Sequence, residues 1–194
     1  MQKLPWENLH MALGLGAILA VIVFLILGHY AWLGDFSATG FWQFLFRFFH
    51  VISGVLWIGL LYYFNFVQMP SMPKIPDEQK PAVSKVIAPK ALFFFRWAAA
   101  STVLFGLIIM WMNHSWESVG ISIGMLLGLI MAYNVWFIIW PNQQKALGLV
   151  DADPDTKKRA ARTAMLASRF NTMLSIPMLY CMVSQQNLPA SWSW

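Results

Sequence analysis

Five long apolar runs, each separated from the next by a short polar segment, set the pattern of this chain. They fall at about 9–30, 42–67, 91–112, 119–140 and 162–184. Each is close to the roughly 20 residues a helix needs to cross the hydrocarbon core of a bilayer. The pattern predicts an all-α polytopic membrane bundle of five transmembrane helices, forming a single membrane domain over residues 1–194. No small-residue cleavage signal follows the first run, so it reads as a retained span and not as a cleaved leader.

Two of the runs carry small residues at helical spacing. Gly120, Gly124 and Gly128 recur every four residues in the fourth, and Ala164, Ser168, Thr172 and Ser175 line one side of the fifth. Small side chains let helix backbones approach closely in lipid, so both stripes are expected to be packing faces. Pro177 is expected to kink the fifth helix.

The polar connections differ in charge. Segments 34–40 and 113–118 contain no Lys or Arg, whereas segments 70–90 and 141–162 are rich in them. Basic residues are retained on the cytoplasmic side. That places the N-terminus in the cytoplasm, the two short loops outside and the C-terminus in the periplasm. Of the 13 Lys and Arg, all but Arg47 then fall in the inner half. Trp32, Trp42, Trp111 and Trp116 mark the outer interface and Trp140 the inner one.

Composition agrees. The chain is 59% apolar and 11% charged, against about a quarter charged in a soluble domain. Its net charge of +5 lies between apolar runs and forms no groove or stripe, which argues against a nucleic-acid partner. The single Cys181 excludes an internal disulfide, a CxxCH haem attachment and a cysteine-based zinc site. No Ser-His-Asp set, paired-carboxylate site or phosphate-binding glycine loop is present.

The candidate chemistry lies in the polar residues inside the runs. Arg47, Arg96 and Arg169 are there, with Asn65, Asn134 and Asn171. The acids are Glu7, Asp35, Asp77, Glu78, Glu117, Asp151, Asp153 and Asp155, and every one is in a loop or tail. A buried arginine stays charged, and in the bilayer it costs at least about 2.5–3.5 kcal/mol and needs a partner. With no carboxylate at that depth, the arginines either snorkel to the headgroups, bind lipid phosphate or hold an anionic ligand. Arg96, Asn134, Arg169 and Asn171 are expected to form an inner polar cluster for an anion or lipid. The missing intramembrane acids also argue against a carboxylate proton relay.

His50 shares a helix face with Arg47 and Gly54. An imidazole can ligate haem iron, a glycine one turn away leaves room for a flat macrocycle, and an arginine one turn toward the surface can hold a propionate. His50 lies level with Phe105 and Gly106 of the third run, which cannot ligate. A five-coordinate haem or a second ligand from Met110 fits that depth better than His114. His29 and His114 read as interfacial residues, and His10 stands alone near the inner end. Met110, Met112 and His114 form a weaker alternative, a soft copper(I) site, which needs a frayed helix end.

The stretches FRFFHVISGVLWIGLLYYFNFVQ (46–68), FFFRWAAASTVLFGLIIM (93–110), MAYNVWFIIWPNQQKALG (131–148) and ASRFNTMLSIPMLYCMVS (167–184) resemble the bacterial urate oxidase N-terminal-domain family, the membrane urate hydroxylase type. HVISGVLWIG is also similar to a wider group that includes the membrane protoporphyrinogen oxidase and copper-resistance membrane proteins. The resemblance implies membrane redox chemistry with electrons passed to a c-type cytochrome. It implies that His50 matches a histidine that binds haem b. The second ligand in the protoporphyrinogen oxidase is a lysine matched here by Arg96, and arginine does not ligate iron. The chain reads as a short member lacking the cytochrome c domain, with an added span at 9–30 and Phe170 where the urate enzymes have histidine.

Three readings follow. The first is an inner-membrane redox protein that binds haem b through His50 and transfers electrons near the periplasmic face. The second is a non-catalytic accessory subunit of a larger membrane oxidase or monooxygenase complex. The third is a urate-type oxidoreductase using a separate cytochrome c.

Overall fold

The computed structural model describes residues 8–31, 39–114 and 118–187; Trp32, Trp116 and the side chain of His29 lie outside the described residues. Five helices account for nearly all of these residues, and no strand is found among them. They are α1 (Leu9–Ala31), α2 (Thr39–Lys74), α3 (Ala82–Asn113), α4 (Val119–Ala146) and α5 (Pro154–Asn187). In α1 to α4 a stretch is long and apolar enough to cross a membrane. The chain is therefore a helical membrane protein. α5 has the length, but Thr163, Ser168, Arg169, Asn171, Thr172 and Ser175 interrupt its apolar run, so it does not meet the same standard of apolarity.

Residue contacts gather into two units, 1–42 and 43–194. In the first, the apolar side chains of α1 from Leu9 to Ile26 are largely exposed, as suits a surface that lipid would cover. Phe24 and Phe41 meet there with ring centroids 5.7 Å apart. In the second, the core is built from Trp57, Ile58, Leu61 and Phe64 of α2, Leu92, Phe95, Ala98 and Ala99 of α3, and Met131, Val135 and Ile139 of α4, with Met178 of α5 against them. α5 packs along most of α4.

Three helices run further than their apolar pattern suggests, and prolines explain how. Pro70, Pro89 and Pro141 each lie inside a helix. Each follows a single π-turn by two residues: Tyr63–Gln68, Ala82–Ile87 and Asn134–Ile139. A proline ring clashes with the carbonyl four residues before it and has no N–H to offer. Widening the preceding turn relieves that clash. The backbone N–H groups of Met69, Ala88 and Trp140 accordingly reach back five residues, to the carbonyls of Phe64, Val83 and Val135. Pro177 lies inside a continuous α5 with no such turn.

The ends of α3 and α5 have identifiable caps. His114 adopts a left-handed conformation (φ 49°) and its N–H closes on the Met110 carbonyl. Before α5, Asp153 Oδ1 accepts the Thr156 N–H at 2.9 Å and Oδ2 accepts the Thr156 hydroxyl at 2.5 Å. The hydrogen bond from the Thr156 hydroxyl, then that from its N–H, holds the Asp153 carboxyl below its usual range.

Of the three glycines spaced along α4, only Gly124 is at a tight crossing. A Cβ there would sit 2.9 Å from Cys181 Cβ and 3.6 Å from the Met178 carbonyl oxygen, whereas nothing lies within 4 Å of Gly120 or Gly128. The packing stripe expected from the spacing thus reduces to one position. On α5, by contrast, Ala164, Ser168 and Ser175 are all buried.

Gly124→Ala is expected to lower stability by about 1–3 kcal/mol through overpacking. Gly128→Ala should leave it unchanged or raise it, by up to about 1 kcal/mol. Thermal unfolding of the two variants in detergent checks the contrast. The Asp153 cap contributes fully above the ordinary carboxylate range, because its folded-state value is lowered. That contribution is lost as pH falls through the lowered value. Asp153→Asn should remove this pH dependence of order in the first turn of α5, read from the Thr156 amide by NMR.

Candidate functional site

His50 projects from α2 onto α3. Its Nδ1 lies 2.8 Å from the Thr102 carbonyl oxygen. A carbonyl only accepts, so Nδ1 carries the proton and Nε2 keeps the lone pair. This is the arrangement in which a metal-ligating imidazole is oriented through its other nitrogen. Thr102 is itself held, its hydroxyl donating to the Ala98 carbonyl at 2.7 Å.

Gly106 makes the space for the ring. A Cβ there would stand 3.0 Å from His50 Cε1 and 3.1 Å from Nδ1. The depth match expected between His50 and the Phe105–Gly106 level is therefore found. Phe105 packs its ring on Phe49 (5.3 Å between centroids) and Phe46 (6.2 Å), closing the same level with apolar surface. One turn further along α3, Met110 shares the face of Gly106 by its spacing and is half-buried. Arg47, also half-buried, forms no hydrogen bond or ion pair among the described residues.

Gly54 does not leave the expected opening. The Thr102 methyl lies 3.8 Å from where its Cβ would be, an ordinary helix–helix contact. The donor set thus fits an iron-bound ring through Nε2, with Arg47 uncommitted, but Gly54 is a contact with α3 and not the bed of a macrocycle. The helix of α3 continues through Asn113, and the Met112 carbonyl accepts from Gln43 Nε2 at 3.3 Å. Met110 and Met112 therefore lie on different faces, and the frayed end that a Met110, Met112 and His114 copper site needs is not what the backbone adopts. No group of three or more His, Cys, Asp or Glu is placed to hold a metal ion among the described residues.

The second expected cluster divides. Asn134 Nδ2 donates to Asn171 Oδ1 at 2.8 Å, and Asn171 Nδ2 donates to the Met131 carbonyl at 2.9 Å. Both asparagines are buried. Arg169 is exposed on the opposite side of α5. Residues two apart on a helix point about 200° apart, so Arg169 and Asn171 do not share a face. Arg96 is separate again. Its guanidinium carbon sits 3.3 Å from the Trp140 ring centroid, a cation–π contact, and its buried Nη1 has no hydrogen-bond partner. The ion pair among the described residues is Lys80–Asp77 at 2.6 Å, outside the apolar runs.

The polar seam extends beyond the residues expected to hold an anion or lipid. Asn65 Nδ2 donates to the Leu61 carbonyl at 2.9 Å and to Ser168 Oγ at 2.8 Å. The Tyr62 hydroxyl meets Ser175 Oγ at 2.9 Å. Ser168 and Ser175 were visible as small residues, but their hydroxyls bind α2 as well as letting it approach.

Residues 114–193 match the family model described as urate oxidase N-terminal. Over this stretch, somewhat under half of its length, the chain is similar to that family. The family stretch takes in Asn134, Arg169 and Asn171, while Arg47, His50, Gly54, Arg96 and Met110 precede it. No curated protein and no solved structure matches the chain.

Asn134→Leu and Asn171→Leu are each expected to cost about 1–3 kcal/mol, because each leaves a buried amide group unpaired. The double variant should recover part of that loss. A double-mutant cycle on detergent unfolding should give a coupling of at least about 0.6 kcal/mol.

Proposed function

We propose that this chain is a bacterial inner-membrane redox protein that binds haem b through His50 Nε2 and transfers electrons near the periplasmic face. In this reading α5 is a fifth span, the N-terminus is cytoplasmic and the C-terminus periplasmic, as the loop charges favour. The observation that carries it is the Nδ1 bond to the Thr102 carbonyl, which leaves Nε2 as the free donor. Bound haem would supply one-electron transfer. Thr102 holds the proton at Nδ1, and Gly106 leaves space for the ring beside α3. Arg47 would hold a propionate. Phe46, Phe49 and Phe105 keep water from the same level. Met110, one turn beyond Gly106 on α3, would be a further residue able to hold the group.

The family match favours a second reading, a urate-type oxidoreductase that passes electrons to a separate cytochrome c. Exposed Arg169, among the exposed Phe170, Met173 and Ile176, favours a third, an accessory subunit whose α5 faces lipid or a partner helix in a larger membrane complex.

Purified protein should show a Soret band and about one iron per chain, and His50→Ala should lose both. Absence of band and iron in the wild-type chain overturns the haem reading. Urate-dependent reduction of a c-type cytochrome by membranes containing the chain separates the second reading from the other two.

A further inference from the structure

All three π-turns border one cavity. Phe64 and Gln68 come from the turn in α2, Val83 and Ser84 from that in α3, and Ile139 from that in α4; Ala164 and Ser168 of α5 complete the wall. Its volume is about 100 Å³. It lies toward the basic-loop ends of the helices, about 27 Å along α2 from His50 by the helix rise. π-turns often mark functional positions in helices, and three helices spend one each on this space.

The lining carries the amides of Gln68 and Gln143 and the hydroxyls of Ser84 and Ser168, and its unanswered buried atom is an oxygen. Gln68 Oε1 is buried and has no hydrogen-bond partner. Asn65 Oδ1, on the amide that binds cavity-lining Ser168, is also buried and unpartnered. The Asn65 orientation is fixed, because its nitrogen donates to the Leu61 carbonyl and a flip would set two acceptors against each other. Ser84 Oγ spends its proton on the Lys80 carbonyl, at 3.1 Å, and so also faces its neighbours as an acceptor. No Lys, Arg, His, Asp or Glu lines the cavity. Buried acceptors without donors are costly, and their natural complement is a ligand that supplies N–H or O–H groups. The absence of lining charge points to a neutral one, and Phe64, Leu92 and Phe95 suit its apolar body.

We propose that this cavity is a binding site for a small neutral molecule that donates a hydrogen bond through an N–H or O–H group to Gln68. The size restricts the occupant to about four non-hydrogen atoms, since a dry cavity of about 150 Å³ takes benzene, with six.

The probe is acetamide, which has four non-hydrogen atoms and an NH2 donor, and its control is acetone, of the same size and shape with no donor. Both are titrated against the full chain in detergent by ligand-observed NMR. Acetamide should bind, acetone at least about tenfold more weakly, and Gln68→Leu should weaken acetamide by a similar factor. Ala164→Leu, which fills the wall, should abolish binding. Because that variant is fully buried and can misfold, the Gln68→Leu result stands on its own, with circular dichroism confirming its helix content. No binding, meaning that water alone occupies the space, overturns the proposal. So does equal binding of the two compounds, or binding that Gln68→Leu leaves unaltered. None of these outcomes depends on haem.

Discussion

Asn171 is fully buried in the middle of a helix bundle, and every polar atom it carries must be answered from within. It answers α4 twice, through the Asn134 amide and the Met131 carbonyl. The same side of α5 reaches α2 through Ser168 and Ser175. These contacts tie the least apolar helix to two strongly apolar ones. They do so with neutral groups only, because no acid lies within the apolar runs. A charge pair at this depth would have to offset a desolvation cost of several kcal/mol per ion. Amide and hydroxyl pairs avoid that cost and still specify which face of α5 is turned inward.

Proline placement governs the other half of the architecture. Pro70, Pro89 and Pro141 would each end a regular helix, and each instead follows a widened turn that lets the helix continue. The continuation carries α2 and α4 beyond the expected apolar limits and starts α3 earlier. Asn65 and Asn134 both lie within these turns, so the relief of a backbone clash also delivers side chains to the seam with α5.

Much of the helical framework was legible from hydrophobic run length, which depends on composition alone. Helix ends were not, because a proline near the edge of an apolar run reads as a stop unless a π-turn precedes it. The level of His50 against Gly106 was legible, since residue rise along two antiparallel helices is nearly fixed. The proton on Nδ1 was not, since it depends on which carbonyl lies opposite. Grouping Arg169 with Asn171 failed for angular reasons: depth placed them together and helix phase set them apart. Gly124 and Gly128 are identical in spacing logic, yet only Gly124 meets α5 closely, and this follows from how α4 crosses α5 and not from the glycine pattern. The family match covers the α4–α5 region and leaves the His50 face to be argued from geometry.

The π-turns also change how this protein tolerates alteration of its length. Each turn holds one residue more than an α-helix needs. Deleting a single residue within 63–68 would remove the widened turn and leave the helix beyond it nearly in phase, whereas the same deletion in a regular stretch would rotate everything beyond it by about 100°. What would return is the clash between the Pro70 ring and the carbonyl four residues before it. For this chain a one-residue gap at these turns is therefore felt as backbone strain at the proline and not as a change of the inward face, and alignments that move such a gap elsewhere in the helix will misassign which residues face inward.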